Sequence, residues 1–376
     1  MILPGATLGM LGGGQLGRMF TTAAQTMGYK VIVLDPDKNS PAGIIADQHI
    51  CSAYTDEAAL TELAQHCAAI TTEFENIPAS TLAFLEKRTV VHPSSSALAS
   101  TQNRNTEKNF IRAQGIATVP FVRITHRDDF ADISTQIKFP AILKVATFGY
   151  DGKGQIVCED LQAAYEAFEA LGQKECVLEQ RIDLEREISV VLARGEDGQI
   201  TAFPVAENVH INGILHSTTV PSAAAETQQH AAIEMASKIA DGLDYVGTMA
   251  VEFFVSKQGE IIANEIAPRP HNSGHYTLDA CRTSQFEQQV RMLCGLPAGS
   301  SKLISPVVMI NLLGDVWGNS QPGWDKLLNK PDIKLHLYGK REARAGRKMG
   351  HFNVLADTPE LAMQSANMVF DDIKAD

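Results

Sequence analysis

Six cysteines are scattered over 376 residues without a CxxC pair. The chain therefore shows neither the ligand spacing of a structural zinc site nor the density of a disulfide framework. A reducing, cytoplasmic setting is expected. Positive charge is also short: 32 Lys and Arg against 44 Asp and Glu leave a net charge of −12 and a pI near 5.4. Binding to nucleic acid or to a membrane surface is not expected of such a chain. No apolar run approaches the ~20 residues of a membrane-spanning helix, and the first residues lack the basic start and long apolar stretch of an export signal. Repeats and low-complexity tracts are missing too. What is left is a chain long enough for two or three globular domains with cores of their own.

The most informative stretch runs from Met249 to His271. Two runs rich in β-branched and aromatic residues flank Gln258-Gly259, which reads as a hairpin with a two-residue loop. Counting outward from that loop pairs Lys257 with Glu260 and sets Glu252 opposite Glu265. Like charges facing across a ladder are destabilising, the more so where water is scarce. A cation between them reverses the sign. Two carboxylates with the amide oxygen of Asn264 suit a hard ion such as Mg²⁺, which usually bridges protein carboxylates to phosphates. The alternative is a half-exposed hairpin with solvated glutamates, and a one-residue slip would put the two on opposite faces.

A second motif lies upstream. The apolar run Phe139-Pro-Ala-Ile-Leu-Lys-Val carries Lys144 in its middle, and a loop with Gly149, Gly152 and Gly154 follows. A lysine in a buried strand needs an anionic partner. Closely spaced glycines let backbone N–H groups turn toward phosphate oxygens. No Ser or Thr follows Lys153, so this is not the GxxxxGK[ST] phosphate loop. Taken alone, it also reads as a glycine-rich hairpin tip with a snorkelling lysine.

The N-terminal part alternates strands and helices: Ala6 to Leu11, a glycine turn, a helix from Gln15 to Met27, Val31 to Asp35, and onward to about residue 95. Its first turn, Gly12-Gly-Gly-Gln-Leu-Gly17, satisfies GxGxxG, and Asp35 ends the next strand where a ribose-binding acid would sit. An NAD(P)-binding oxidoreductase is the rival this raises, although it leaves Lys144, the second glycine loop and the paired glutamates without a task. Near the other end, Tyr338 to Lys348 concentrates five basic residues between and beside Gly339 and Gly346. Such a run is either a solvated loop or an anion cradle.

In order along the chain, Lys144, Gly149-Tyr-Asp-Gly-Lys-Gly-Gln155, Val177-Leu-Glu-Gln180, Glu187, Glu252 and Asn264-Glu265 resemble an ATP-grasp ligase. Four strings are similar to the 5-(carboxyamino)imidazole ribonucleotide synthetase branch of that family. They are the Gly149–Gln155 loop, Ala267-Pro-Arg-Pro-His-Asn-Ser-Gly-His275, Thr72-Glu-Phe-Glu-Asn76 and Gly346-Arg-Lys-Met-Gly-His351. The likeness runs from residue 9 to 351. Lys153 stands where arginine is expected in many relatives; the lysine keeps the charge and loses the planar fork of a guanidinium.

The resemblance implies a mixed α/β and α+β architecture, the ATP-grasp fold. Expected are an N-terminal open parallel α/β domain over residues 1–100, a two-subdomain grasp over 101–298 with a mobile lid at about 118–180, and a small β-rich C-terminal domain over 299–376. It implies ATP and Mg²⁺ as cofactors, and carboxylation of aminoimidazole ribonucleotide by bicarbonate through carboxyphosphate, a step of purine biosynthesis, in a homodimer. By the same resemblance, Mg²⁺ sits on Glu252 and Glu265, and the phosphates on Arg104, Lys144, Gly149, Gly152, Gly154 and Gln155. Adenine lies against Glu179, Gln180, Arg181 and Ile182, and ribose on Glu187, with His210 and Asn264 nearby. Arg269, His271 and Asn272 orient bicarbonate, while Tyr150, Asp151 and Lys153 reach in from the lid. Gln15, Leu16, Glu73 and Asn272 contact the ribonucleotide, and Lys340, Arg347 and Lys348 hold its 5′-phosphate. A grasp ligase with another acceptor amine remains open. A catalytically dead nucleotide-binding scaffold is disfavoured, because both presumed metal ligands are present.

Overall fold

The computed structural model describes residues 1–147, 149, 154–318 and 320–374. In the N-terminal part, β1 (Thr7–Leu11), β2 (Lys30–Leu34), β3 (Gln48–Ile50), β4 (Ala69–Thr72) and β5 (Val90–Val91) form a parallel sheet in the order β3-β2-β1-β4-β5. Its central strands β1 and β4 are buried along nearly their whole length because helices cover both faces. These helices are α1 (Gln15–Thr26), α2 (Glu57–His66) and α3 (Ala79–Glu86), and α4 (Ser95–Thr101) follows. Helix α1 buries Leu16, Phe20 and Ala24, one stripe at helical spacing.

Helix α5 (Arg104–Ala113) starts at Asn103, whose side chain accepts from the N–H groups of Asn105 and Thr106. It leads into a four-stranded antiparallel sheet ordered β6-β9-β7-β8, built from β6 (Phe121–Ile124), β7 (Ala141–Val145), β8 (Gln155–Cys158) and β9 (Cys176–Gln180). Helix α6 (Leu161–Ala170) seals it, with Phe130, Leu143, Phe168 and Leu178 in a separate small core.

The third sheet is the largest. Into it go β10 (Leu184–Arg194), β11 (Ile200–Ala202), β12 (Ala206–Ile211), β13 (Ile214–Val220), β14 (Gly247–Ser256) and β15 (Ile261–Ala267), with α7 (Glu226–Gly242) packed on it. Short α8 (Thr277–Ala280) follows, and α9 (Gln285–Leu293) docks Phe286, Val290 and Leu293 against Leu8 and Phe20 of the first domain. The chain past residue 299 adds β16 (Val307–Leu313), β17 (Ile333–Leu337) and β18 (Lys348–Leu355) to the same sheet, through the pairing of β16 with β13. Helices α10 (Trp324–Leu328) and α11 (Pro359–Ile373) give that end a core of its own.

The acidic hairpin departs from the two-residue loop read in the sequence. Ser256 donates to Glu260 O and Gly259 donates to Ser256 O, so Lys257, Gln258 and Gly259 form a three-residue loop with Gly259 at φ +84°. Val255 then pairs with Ile261, one residue out of the expected register. A bulge at Asn264 restores it, and Glu252 pairs with Glu265 after all.

Candidate active site

A cleft of about 1210 Å³ opens where the parallel sheet, the small antiparallel sheet and the large sheet converge. One wall is the acidic hairpin. Register puts Glu252 and Glu265 on one face, and burial followed by the charges of Glu265 and Glu187 raises Glu252 above the ordinary carboxylate range, against the pull of His210. Arg104 Nη1 lies 3.0 Å from Glu265 Oε2, and its Nη2 donates to Gly149 O at 3.4 Å, so one guanidinium joins the hairpin to the glycine loop. Among the described residues Glu252 has no guanidinium of its own, and its contact at 3.5 Å is His271 Nε2. Among the described residues no group of three or more His, Cys, Asp or Glu could hold a metal. Two facing carboxylates, one of them under electrostatic strain, fit an ion that takes its remaining ligands from phosphate and water.

Helix α5 carries more than Arg104. Glu107 and Lys108, three and four residues on, share its inward face at 2% and 1% exposure. Glu107 accepts from Ile266 N at 2.6 Å. Lys108 Nζ lies 3.1 Å from Glu179 Oε1 and donates to Asn264 O at the bulge at 3.3 Å. Glu179 Oε2 is 2.7 Å from Lys144 Nζ, so one carboxylate sits between the buried Lys108 and the partly buried Lys144. Burial alone would raise Glu179; Lys144 and then Lys108 overturn that and hold it at about 2. Lys144 is drawn below the ordinary amine range, because burial and the charges of Arg104 and Lys108 outweigh Glu179. The strand lysine thus has the partner its sequence demanded, and the surplus of positive charge still suits a polyphosphate.

Beyond this lies Glu187, whose Oε2 meets His210 Nδ1 at 2.7 Å. Burial pulls His210 down, but Glu187 and Glu252 outweigh it and leave the imidazole raised. On the far wall Arg269 makes a two-pronged ion pair with Glu75, the second contact at 3.2 Å. Asn272 exchanges both amide bonds with Asn311, at 3.0 and 2.8 Å, so one donor and one acceptor of its side chain are already engaged. His271 Nδ1 lies 2.8 Å from Ser273 Oγ.

The GxGxxG turn holds a surprise of charge. Its N–H groups at Gly14 and Gly17 both donate to the carboxylate of Glu73, Gly17 at 2.7 Å. A Cβ on Gly14 would meet Glu73 Oε1 at 2.6 Å. The anion at the start of α1 is therefore a protein carboxylate, seated where the pyrophosphate of a dinucleotide would need to sit. Asp35 is likewise engaged internally, by Gly13 N at 2.7 Å and Tyr54 Oη at 2.6 Å. Glu73 and Glu75 are held side chains rather than solvated loop residues, and the fingerprint has no room for NAD(P).

From the C-terminal strands, Lys340 Nζ reaches Gln15 Oε1 at 2.6 Å and Lys348 O at 2.7 Å. Arg347 Nη1 donates to Glu342 O at 3.0 Å. Gly346 N donates to Asp315 Oδ2 at 2.7 Å, which folds the basic run back over the cleft.

Three family models match in sequence: a ribonucleotide synthetase preATP-grasp domain over residues 5–102, an ATP-grasp domain over 109–286 and a phosphoribosylaminoimidazole carboxylase C-terminal domain over 307–365. The N5-carboxyaminoimidazole ribonucleotide synthase of Bacillus subtilis (strain 168) is 43% identical over 355 residues, 94% of this chain and 93% of that protein. The chain belongs to the N5-carboxyaminoimidazole ribonucleotide synthase family. An ADP complex of an N5-carboxyaminoimidazole ribonucleotide synthetase superposes with a TM-score of 0.93 at 44% identity, covering 100% of this chain and 99% of that one. The Aspergillus clavatus N5-carboxyaminoimidazole synthase, solved with ADP and 5-aminoimidazole ribonucleotide, gives 0.89 at 30% identity over 97% and 98%.

Within this synthase fold, the cleft wall includes Gln15, Leu16, Glu73, Arg104, Lys144, Gln155, the run Glu179 to Ile182, Glu187 and His210. It also includes Glu252, Asn264, Glu265, Arg269, His271, Asn272, Lys340, Arg347 and Lys348. Gly149 and Gly154 lie off it; Gly154 O accepts from Val145 N at 2.8 Å, closing the strand pair below the loop. Tyr150, Asp151, Gly152 and Lys153 fall outside the described residues. Sequence reasoning quoted Glu75 in the Thr72–Asn76 string without giving it a role, and missed Glu107 and Lys108. The available signal was on α5, where Glu107 and Lys108 precede Ile111 on the face that has to be buried.

Proposed function

We propose that this chain uses ATP to join bicarbonate to the exocyclic amine of 5-aminoimidazole ribonucleotide, releasing ADP and phosphate. One observation carries the reading: a single cleft has the facing Glu252 and Glu265 with Lys144 at one end, and Lys340 bonded to Gln15 at the other. A phosphate-rich nucleotide with its cation and a second anionic substrate can thus lie end to end. The names of family members, and a solved complex of one of them with ADP and 5-aminoimidazole ribonucleotide, support the same pair of ligands.

In this reading Lys144 and Arg104 hold phosphate oxygens, and Glu179 keeps Lys144 aimed at them. Glu187 and His210 orient the ribose, and the strand end from Glu179 to Ile182 borders the adenine. Glu252 and Glu265 would hold Mg²⁺, which neutralises charge on the transferring phosphoryl group when bound. Arg269 and His271 give donors to bicarbonate and to the carboxyphosphate that forms when the γ-phosphoryl group reaches it. Asn272 keeps one donor and one acceptor site free for the same purpose. Lys340, Arg347 and Lys348 take the ribonucleotide phosphate, and Gln15, Leu16 and Glu73 border its ring. The three-part division at residues 100 and 298, the lid role of 118–180, the homodimer and the cytoplasmic setting belong to the same proposal. Among the described residues no helix is long and apolar enough to cross a membrane.

The test is ATP turnover with and without the ribonucleotide and bicarbonate. Release of ADP that requires both substrates is expected. Turnover indifferent to either one overturns the reading.

A further inference from the structure

A chain of buried hydrogen bonds starts in the large sheet and ends on His271. Thr218 Oγ1 donates to Asn208 Oδ1 at 2.9 Å, Asn208 Nδ2 meets Ser189 Oγ at 2.9 Å, Ser189 Oγ meets Ser273 Oγ at 2.8 Å, and Ser273 Oγ meets His271 Nδ1 at 2.8 Å. Thr218, Ser189 and Ser273 are completely buried and Asn208 is 5% exposed. The chain crosses three neighbouring strands, β13, β12 and β10, before reaching the short 3-10 turn Asn272–Gly274. Four buried polar side chains are tolerated only when each is satisfied, and here each is.

The direction of the chain follows from one group that has no choice. Ser273 backbone N–H points at His271 Nδ1 at 3.3 Å, and an amide nitrogen can only donate. Nδ1 is therefore an acceptor and carries no proton. The Ser273 hydroxyl, 2.8 Å from the same nitrogen, must then donate to it. Having used its one proton, Ser273 accepts from Ser189, and Ser189 in turn accepts from the Asn208 amide. Thr218 donates to the amide oxygen and holds Asn208 the right way round. Every donor points toward the imidazole.

We infer that Ser273 and Ser189, backed by Asn208 and Thr218, are positioning residues that lock His271 with its proton on Nε2. That nitrogen faces the cleft, 3.5 Å from Glu252 Oε1. A neutral imidazole so held presents a donor to an anionic oxygen and has no lone pair at Nε2 with which to take a proton. His271 thus serves as a hydrogen-bond donor to bicarbonate or carboxyphosphate and not as a general base. The tautomer stands on geometry alone; its use rests on the carboxylation reading.

The experiment is nitrogen-15 histidine spectroscopy on the metal-free full-length enzyme, with the His271 signals identified by their loss in His271→Gln. Wild type should show an unprotonated Nδ1 and a protonated Nε2. Ser273→Ala removes the hydroxyl and leaves Nδ1 with the longer backbone N–H contact at 3.3 Å, so the preference for the proton on Nε2 should weaken. Its kcat should fall by about ten-fold, the worth of one hydrogen bond, with KM for ATP nearly unchanged. His271→Gln, which keeps an N–H near the Nε2 position, should turn over at least about ten-fold faster than His271→Ala. A proton on Nδ1 in wild type overturns the inference, even if Ser273→Ala does not fold. So does a Ser273→Ala enzyme unchanged in tautomer and kcat, or a Gln variant no better than Ala. A protein whose ATP turnover ignores the ribonucleotide would sink the carboxylation reading and leave the tautomer measurement standing.

Discussion

Glu252 faces Glu265 because two irregularities cancel: a loop one residue longer than the minimal hairpin, and a bulge that absorbs the extra residue at Asn264. The bulge also turns the Asn264 carbonyl toward Lys108. A regular ladder after the three-residue loop would have set Glu252 opposite Asn264 and broken the pair. Bulges next to active sites commonly re-aim side chains in this way.

The facing pair makes the first prediction. Glu265→Gln and Glu252→Gln should fold and lose Mg²⁺-dependent ATP turnover, Glu252→Gln the more mildly. Each removes one carboxylate ligand while leaving the strand pairing intact. Turnover measured at sub-millimolar Mg²⁺ decides it, and near-wild-type rates in both variants would refute the metal assignment.

The basic run gives the second. Arg347→Ala should raise KM for the ribonucleotide and leave ATP binding nearly unchanged. A charge-assisted hydrogen bond contributes roughly 1.5–3 kcal/mol, so the rise should be about ten-fold or more. Equal weakening of ATP would move this loop to the nucleotide end.

How much of this was legible in the sequence depended on whether the signal was local. The strand lysine Lys144, the glutamate pair and the basic run each stand out within a single local stretch of sequence, and all three contribute side chains to the cleft. The hairpin facing was reached by way of a wrong loop, since a bulge leaves no mark in the spacing of apolar residues. Lys108 was invisible because a charged residue on a helix reads as solvated, and only the approach of Glu179 from a strand 71 positions later makes its burial tolerable. The glycine fingerprint misled for the same reason. Its anion is Glu73, 59 residues away from Gly14, and no local pattern announces that. The Ser273–Ser189–Asn208–Thr218 chain requires the register of three strands before its members can be seen to touch.

That glycine turn gives the third prediction. ATP with Mg²⁺ should raise the melting temperature, whereas NAD(P)H at equal concentration should not. Mass-action linkage predicts about 2.7 kcal/mol at 100 times Kd, which a melt resolves easily. Gly14→Val should destabilise the unliganded protein, because its Cβ would press on Glu73 Oε1 at 2.6 Å. Saturable NAD(P)H binding in wild type that Gly14→Val abolishes would reinstate the oxidoreductase.

Lys108 gives the fourth. Lys108→Met should leave Glu179 with Lys144 as its remaining lysine partner and free the bulge carbonyl of Asn264. Breaking one side of a buried ion pair costs about 3–5 kcal/mol. A lower denaturation midpoint together with a higher KM for ATP is expected, since the lysine ties β9 to the hairpin. A variant that loses less than about 1 kcal/mol would show the pair to be dispensable.

Glu107 gives a prediction in pH. Burial, followed by the charge of Glu265, raises its carboxyl from 4.5 to about 8, against the opposing pull of Arg104, the Ile266 N–H and Lys108. The folded protein therefore keeps a proton that the unfolded chain gives up above the ordinary carboxylate range. The stability this contributes is present below about 4.5 and is lost as pH rises through about 8. Glu107→Gln is neutral at every pH and preserves the oxygen that accepts from Ile266 N. In EDTA, so that no cation relieves Glu265, the two proteins should be nearly equally stable at the acid end. The variant should then gain on wild type by up to about 1.4 kcal/mol per pH unit and level off above the folded-state value. Chemical denaturation at a series of pH values measures the gap. A gap that stays flat across the whole range would mean that Glu107 is ionised in the folded protein, with Arg104 and Lys108 outweighing its burial.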